Sequence, residues 1–306
     1  MKLAPRASVL LALCLAAGTA SAQVSLTGPA YTQDFDSLAN SGSGHTALPP
    51  GWLISESGAN ANGQYQAGTG GSNSGDTYSF GATSSTERAL GGLLSGSLTP
   101  TIGACFTNNV GNEVTALDIA YTGELWRLGT AGRTDTLNFQ YSLDATGLTD
   151  GSWTDVDTLD FNTPNTAGSA GARDGNDAAY RTAVSGQIGG LAIANGSGFC
   201  IRWTDFNASG ADDGLAVDDF SLTPVFEPPG ADIGTSLSVD PGPVVPGGQV
   251  TVRTRLQNFS AVASDPWIYR QTHISDLTFA GGALYDGVGD IGFGSCGIGG
   301  TLMTLT

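Results

Sequence analysis

Apolar residues alternate with polar ones at every second position in several stretches of the chain. The apolar members of the three clearest runs are Leu117, Ile119 and Tyr121; Leu137, Phe139, Tyr141 and Leu143; and Phe199, Ile201 and Trp203. A period of two with one apolar face is typical of half-buried antiparallel strands. Helical periodicity is weak, and only residues 86–94 could form a helical turn. The many short strands, separated by Gly, Asn and Asp turns, predict an all-β fold, a two-sheet β-sandwich of jelly-roll type.

A strand-like stretch near the end of this region breaks the alternation at the aspartate pair 218–219. Before the pair, Leu215 and Val217 share one parity. After the pair, Phe220 and Leu222 share the other. Both sets can face one core only if an extra residue is inserted at the aspartates, which is the pattern of a β-bulge. The alternative is a regular strand whose two ends have different neighbours on each face.

Residues 1–22 have the pattern of an export signal. Lys2 and Arg6 give a charged start, residues 9–17 are apolar, and the small residues 20–22 form a cleavage site. The apolar run is too short to span a bilayer. We therefore expect a secreted protein, located outside the cell or at its surface, without membrane insertion.

Three prolines and a glycine interrupt the strand pattern in residues 224–230, which predicts a linker. The linker separates a jelly-roll domain, residues 23–223, from a smaller domain, residues 231–306. Alternating residues and proline–glycine turns in the smaller domain are typical of an Ig-like β-sandwich. Because that fold needs roughly 100 residues, we expect the Ig-like domain to be incomplete.

The charge balance narrows the range of partners. The chain has 28 acidic residues against 11 basic ones, a formal net charge of −17. Nucleic acids and anionic membrane surfaces are bound by clusters of basic side chains, and none is visible. We therefore expect no nucleic-acid partner. Neutral extracellular polysaccharides, other cell-surface components and divalent cations remain compatible with the charge.

Three cysteines remain after removal of the export signal. Cys105 and Cys200 share the first domain, whereas Cys296 lies in the second. Because export makes a disulfide favourable, we predict a bond between Cys105 and Cys200, with their Cα atoms about 4.4–6.8 Å apart. Cys296 is then left without an assigned partner.

Six short motifs stand out in residues 31–223. They are YTQDFD from Tyr31, LPPGW from Leu48, YSFG from Tyr78, YTGELWR from Tyr121, FQYS from Phe139 and GLAVDDF from Gly214. The set resembles a family of exported bacterial jelly-roll modules of uncharacterised function, which tend to stand at the N-terminus of multidomain surface proteins. Some precede nuclease or other hydrolase domains. The segment PVVPGG from Pro243 is similar to the Ig-like repeat of bacterial surface proteins.

Oxygen-bearing side chains are concentrated in the predicted loop 205–214. They occupy its first, third and fifth positions and glycine its sixth, as in the opening of a calcium-binding loop. An EF-hand would have a glutamate where this chain has Ala216, so the loop is not an EF-hand. The alternative is an Asx-rich hairpin turn without metal. The expected calcium ligands are Asp205, Asn207, Asp212, Asp213 and Asp218.

The remaining candidate residues are isolated. Glu124 could act as a general acid, but a structural pair with Arg127 or Arg202 is favoured. His45 lies in a Gly- and Ser-rich loop, and we expect no catalytic role for it. Trp52 follows a Pro-Pro-Gly turn and is the best candidate for an exposed platform that stacks on a sugar. We therefore predict a non-catalytic module that binds a surface or polymer. The N-terminal part of a secreted hydrolase is the alternative.

Overall fold

The computed structural model describes residues 23–226 in full and, beyond them, the backbone of four strands. The chain divides into two compact units between Val225 and Phe226. The expected export signal at 1–22, linker residues 227–230 and Cys296 lie outside the described residues. In the described part of the chain, no helix has the length and apolar character needed to cross a membrane.

The first unit is a β-sandwich of jelly-roll type, as predicted, with two mixed sheets. The first sheet contains β1 (Val24–Leu26), β3 (Trp52–Ser57), β7 (Thr99–Asn108), β9 (Thr136–Ser142), β10 (Thr154–Asp155), β11 (Phe161–Asn162) and β14 (Gly198–Asp205). The second contains β2 (Tyr31–Gln33), β4 (Tyr65–Gly68), β5 (Asp76–Phe80), β6 (Ala89–Leu93), β8 (Val114–Leu128), β12 (Gly171–Ala172), β13 (Arg181–Ile193) and β15 (Gly214–Phe226).

β7 and β14 in the first sheet, and β8 and β15 in the second, each pair with neighbours on both sides. The first sheet runs β1-β7-β14-β9-β10, with β3 also paired to β7 and β11 to β9. The second runs β12-β8-β15-β6-β5-β4, with β13 also paired to β8 and β2 to β15. All pairs with a described register are antiparallel except β1–β7 and β4–β5, which are parallel. A single 3-10 turn, Asp157–Leu159, interrupts the strands of this unit. Residues 89–93 of the possible helical turn form β6.

Aromatic side chains from both sheets meet in the core between them. Trp52 of β3 stacks on Trp203 of β14 with ring centroids 6.1 Å apart, and Phe220 of β15 contacts both rings edge-on. The alternating runs on β8 and β14 are buried as predicted. The run on β9 ends early, because Leu143 is 45% exposed beyond the end of the strand.

The predicted bulge is present in β15. Val217 is the last residue of the strand paired with β6, and Phe220 is the first residue paired with β2. Between them, Asp219 has a φ of 47°, in the left-handed region, and is exposed. Leu215 and Leu222 are both fully buried, although they differ in parity. The extra residue therefore keeps one apolar face on the core along the whole strand.

The second unit contains a four-stranded antiparallel sheet. Its strands are β16 (Ile233–Val239), β17 (Val252–Asn258), β18 (Leu284–Tyr285) and β19 (Met303–Leu305), in the order β16-β17-β19-β18. The Ig-like assignment stays a prediction. The preceding strand β15 continues to Phe226, past the expected start of the linker at Pro224.

The predicted disulfide joins Cys105 to Cys200 across β7 and β14. The two residues are direct partners in the register, and their Cα atoms are 4.1 Å apart. The Cys105 N–H donates to the carbonyl of Gly51 on the opposite side. The pair is therefore a non-hydrogen-bonded one, in which Cα atoms approach to about 4.5 Å. This explains a separation below the expected range.

Removal of this disulfide should destabilise the protein. The bond spans 95 residues, and closing a loop of this size removes about 4–5 kcal/mol of unfolded-state entropy in the chain-entropy model. We expect the double variant Cys105→Ala/Cys200→Ala to melt roughly 10–20 °C below wild type in calorimetry. Reductant should lower the Tm of wild type and leave the variant unchanged. Equal melting of wild type and variant would contradict this account.

Candidate functional site

The loop that follows β14 is tied to its neighbours through Asp213. This carboxylate is fully buried and accepts hydrogen bonds from Gly129 N at 2.6 Å and from Thr163 Oγ1 at 2.7 Å. Its own N–H donates to Asp135 Oδ2 at 2.7 Å. Both carboxylate oxygens of Asp213 therefore have protein donors. The residue fastens the loop to the turns after β8 and β11.

The positively charged side chain of Arg133 lies close to Asp212. The guanidinium of Arg133 lies 3.1 Å from Asp135 Oδ2 and 3.8 Å from Asp212 Oδ1. Burial and the nearby Asp135 raise the pKa of Asp212 to about 6, against the lowering effect of Arg133. Burial raises the pKa of Asp205 well above its usual range, and repulsion from Asp135 and Asp212 adds to this. We call Asp135, Asp205, Asp212 and Asp213 the Asp205 cluster. The guanidinium of Arg133 is its counter-ion.

The five expected calcium ligands do not come together in one site. Asn207 is exposed, and Asp218 lies in a separate carboxylate cluster. The structure therefore places Asp218 apart from the other four candidates, beside Glu87 and Glu124. Calcium binding by Asp205, Asp212 and Asp213 stays a prediction, and a hydrogen-bonded Asx-rich turn stays its alternative.

Asp218 meets Glu87 and Glu124 in what we call the carboxylate cluster. One oxygen from each residue lies within 4.8 Å of the others. Glu124 is fully buried, Asp218 is 5% exposed and Glu87 is half-buried. In the described part of the chain, no other group of three His, Cys, Asp or Glu side chains converges in this way. Glu87 was not among the sequence candidates, because it lies in the loop between β5 and β6, far from Glu124 and Asp218 along the chain.

The strands explain why these carboxylates share a face. Glu124 and Trp126 are two residues apart on β8, and Ala216 and Asp218 are two residues apart on β15, so each pair points to one side. Trp126 and Ala216 belong to one buried apolar cluster. The carboxylate cluster therefore lies beside Trp126 and Ala216, on the face of the second sheet that points away from the core between the sheets. Its remaining member, Glu87, accepts a hydrogen bond from the side chain of Asn176.

The hydrogen bonds of the cluster are incomplete. Glu124 Oε2 accepts from Trp126 Nε1 at 2.8 Å, whereas Glu124 Oε1 is buried and has no partner in the described residues. The expected pairing of Glu124 with an arginine is not formed, since Arg127 donates to the carbonyls of Gly70 and Gly71. Burial raises the pKa of Glu124 to about 7 and the pKa of Asp218 to about 9, and repulsion between carboxylates adds to both shifts.

A second feature is an open cleft of about 310 Å³ beside β4. Its walls come from the loop after β2, from β4 with the residues that follow, and from the loop between β5 and β6. The polar lining residues are Asn40, Ser41, Gln66, Thr69, Ser72, Tyr78, Thr83, Ser84 and Arg88. Arg88 is the one charged residue among them, and no carboxylate lines this cleft.

Arg88 connects the walls of the cleft from behind. It is 1% exposed and donates to Ser79 Oγ at 2.8 Å, to the carbonyl of Ala82 at 3.3 Å and to that of Gly68 at 3.4 Å. A Cβ at position 81 would lie 2.5 Å from the Glu87 carbonyl, so this close turn requires glycine. The cleft is therefore built on buried, hydrogen-bonded supports.

Two other sequence candidates have structural roles. Trp52 is 2% exposed in the core, and its indole donates to Tyr31 Oη at 2.9 Å. The expected exposed platform at Trp52 is therefore wrong, because the Pro-Pro-Gly turn directs the ring between the sheets. His45 pairs with Tyr65 through the backbone, and its Nε2 lies 2.8 Å from the Ser41 carbonyl.

No family model matches the chain, and no curated protein matches its sequence. Solved structures show a distant likeness, each at 12% identity. The match to the N-terminal tandem domain CBM22-1-CBM22-2 of Paenibacillus barcinonensis Xyn10C covers 94% of this chain and 91% of the solved chain, with a TM-score of 0.33. TmCBM61, solved with β-1,4-galactotriose, covers 57% and 88%, with a TM-score of 0.29.

The enzymatically active domain of tailspike protein 4 from bacteriophage CBA120 is also similar, at a TM-score of 0.33. The likeness covers 62% of this chain and only 22% of the tailspike chain. Likenesses at these levels do not identify a ligand for this protein.

Truncation of Asp213 should destabilise the first unit. Asp213→Ala leaves the donors of Gly129 and Thr163 without their acceptor, which lowers the free energy of unfolding by about 3 kcal/mol. The matched control is Asn207→Ala in the same loop, where the exposed side chain predicts a change within about 0.5 kcal/mol. Urea denaturation measures both values. Similar losses in the two variants would contradict the anchoring role of Asp213.

The buried carboxylates predict an acid-stabilised protein in the presence of a chelator. The folded-state pKa values of about 6, 7 and 9 for Asp212, Glu124 and Asp218 exceed the ordinary values of 3.8 and 4.5. The folded state therefore binds more protons than the unfolded state over this range, and its stability rises as the pH falls from about 9 towards 5.

The double variant Glu124→Gln/Asp218→Asn tests the origin of this pH dependence. Its amides do not titrate, so its Tm should vary less with pH than that of wild type across the range above. Thermal melting in chelator at several pH values measures both profiles. A wild-type Tm that rises with pH would contradict the prediction.

Proposed function

We propose that residues 23–226 form a secreted, non-catalytic module that binds a neutral polysaccharide in the cleft beside β4. The observation that carries the proposal is a cleft lined by hydroxyl and amide side chains, without a carboxylate, in a strongly acidic chain. Amide and hydroxyl side chains donate and accept hydrogen bonds, which suits the hydroxyl groups of a sugar. Its volume of about 310 Å³ lies at the small end of the usual range for ligand sites.

The positions of the polar groups support recognition along an edge. β4 is the last strand of the second sheet, and its residues 66–68 line the cleft together with residues of the flanking loops. Gln66 is half-buried, with its amide hydrogen-bonded to Asp76, whereas Ser41 and Thr69 are exposed. A chain of sugars lying along the edge could exchange hydrogen bonds with both kinds of group. Tyr78, at 2% exposure, offers only a small part of its ring.

The charge of the protein favours neutral over anionic glycans. The formal net charge of −17 repels a polyanion at long range. The single cation of the cleft, Arg88, is buried and directed to backbone carbonyls and Ser79, so it is poorly placed to bind an anionic sugar. These two observations support a neutral ligand.

The placement of the carboxylates supports a non-catalytic role. Glycoside hydrolysis uses a pair of carboxylates that flank the scissile bond, and none lines the cleft. In the carboxylate cluster, Glu124 and Asp218 are closed off from solvent, which excludes a polymer from direct contact with them. A binding role for the module, with any hydrolase activity located elsewhere, accounts for this arrangement.

Substitution at the cleft should weaken binding to a neutral polysaccharide. We expect Gln66→Ala and Asn40→Ala each to lower the affinity by roughly tenfold, the effect of losing one or two hydrogen bonds to the ligand. The matched control is Gln187→Ala on β13, because Gln187 is exposed and its amide also donates to an aspartate, Asp118, at 2.8 Å.

The measurement is affinity electrophoresis of the full chain in gels containing galactan, xylan or dextran, followed by calorimetry with oligosaccharides of the best ligand. Alginate serves as the anionic comparison, for which we expect no retardation. Equal binding by Gln66→Ala and Gln187→Ala would exclude the cleft. Release of reducing sugars by the chain would instead support the hydrolase alternative.

A further inference from the structure

The carboxylate cluster has the geometry of a cation site. Three acidic side chains from separate elements place one oxygen each within 4.8 Å of the others. The second observation is independent of that convergence: Glu124 is fully buried, and its Oε1 has no hydrogen-bond partner in the described residues. We propose that Glu87, Glu124 and Asp218 bind a calcium ion that the folded protein requires for full stability.

In the described residues, the carboxylate cluster forms no ion pair with a basic side chain. Ion pairs in the described residues involve Arg133, which serves the Asp205 cluster and not this one. Arg181, the partner of Glu124 across β8 and β13, lowers its pKa but is exposed and forms no ion pair with it. Glu87 acts on the neighbouring Arg88, but the hydrogen bonds of Arg88 go to Ser79 and to backbone carbonyls. Unpaired carboxylates in a buried position are strongly unfavourable. A divalent cation would supply the compensating charge.

The two acidic groups of this unit differ in the hydrogen-bond donors and the positive charge that surround them. In the Asp205 cluster, both oxygens of Asp213 accept hydrogen bonds, and Arg133 lies within 4 Å of Asp135 and Asp212. Asp205 Oδ1 and Asp212 Oδ1 lack hydrogen-bond partners there as well, so the two groups differ in their counter-charge more than in their unfilled oxygens. The carboxylate cluster has only single donors: Trp126 to Glu124, Asn176 to Glu87, and the N–H of Asp219 to Asp218 at 2.7 Å. Free acceptor positions therefore remain at the carboxylate cluster.

The chemistry of the ligands selects the ion. Carboxylate oxygens are hard donors, which favour calcium or magnesium over zinc. Calcium–oxygen distances of about 2.3–2.6 Å allow ligand oxygens on opposite sides of the ion to lie about 5 Å apart, whereas magnesium allows only about 4 Å. Oxygens within 4.8 Å of one another can share either ion. Magnesium dehydrates more reluctantly and is usually held by only one or two carboxylates, so three convergent carboxylates favour calcium. Water and backbone carbonyls would complete its coordination.

The position of the cluster also provides a route for an ion. Glu87 is half-buried, and Asp219, next to Asp218, is exposed. An ion can therefore enter from the side of the β5–β6 loop while Glu124 forms the floor of the site. The competing explanation is that the carboxylates share protons and bind no metal. That state would be favoured by acid and insensitive to calcium.

Calcium titration of the chelator-treated full chain tests the proposal. We expect a single calcium-binding event in calorimetry near neutral pH. At a concentration about 100-fold above Kd, calcium should raise the Tm by roughly 5–10 °C. Magnesium should give a smaller rise. Calcium should also flatten the pH dependence of the Tm, since a bound cation opposes protonation of its ligands.

Isosteric amides identify the residues. Glu124→Gln keeps an acceptor for Trp126, and Asp218→Asn keeps the volume of the side chain, so both variants should fold, as circular dichroism in chelator will verify. Each should weaken calcium binding about tenfold or more and melt at or above wild type in chelator, because like-charge repulsion is reduced. The matched control, Asp212→Asn in the Asp205 cluster, should respond to calcium as wild type does.

Three outcomes would overturn the proposal. The first is a wild-type Tm that calcium leaves unchanged, which would assign the cluster to shared protons. The second is an undiminished calcium response in both Glu124→Gln and Asp218→Asn. The third is loss of the response in Asp212→Asn alone, which would place the ion at the Asp205 cluster. Polysaccharide binding by the cleft is measured separately, so failure of one proposal leaves the other testable.

Discussion

A regular strand directs only every second residue to the core, yet β15 buries both Val217 and Phe220 between the two sheets. The strand achieves this by inserting one residue, with Asp219 in the left-handed region at a φ of 47°. Without the insertion, Phe220 would leave its contacts with Trp52 and Trp203. The same insertion keeps Asp218 on the opposite face, beside Glu124. The aromatic core and the carboxylate cluster therefore depend on a single backbone irregularity.

Buried acidic groups are compensated in two different ways within one sandwich. At the loop after β14, backbone donors, Thr163 and the guanidinium of Arg133 surround the carboxylates. These contacts fix the turns to one another, although Asp205 Oδ1 and Asp212 Oδ1 have no hydrogen-bond partner in the described residues. At Glu124, one indole donor is the only hydrogen bond, and the second oxygen is left without a partner. In the described residues, ion pairs form at the first group and not at the second, so the charges of the two clusters are compensated differently.

The sequence predicted those features that depend on neighbours along a strand or on a strong local pattern. The alternation on β8 and β14, the bulge beside Val217, and the disulfide between Cys105 and Cys200 are confirmed. Features that depend on distant contacts were missed. Trp52 is buried because the opposite sheet supplies Phe220, and local turn residues carry no record of that partner. Glu87 joins Asp218 only through the topology of the second sheet. The calcium-like spacing in the loop after β14 stays a prediction, because Asx-rich turns use the same residues.

The loop between β5 and β6 lies at the boundary of the cleft and the carboxylate cluster. Its consecutive residues Glu87 and Arg88 belong to different features. Glu87 is part of the carboxylate cluster, whereas Arg88 donates hydrogen bonds to the carbonyls of Gly68 and Ala82 in the cleft walls. Ser84, at the rim of the cleft, has a φ of 61°, a strained backbone conformation for a residue with a side chain. Such a conformation persists only where surrounding contacts hold it. The Ala82 carbonyl accepts hydrogen bonds from Ser85 N at 3.0 Å and from the buried Arg88 at 3.3 Å, so the residue that supports the cleft walls also fastens the turn that contains Ser84.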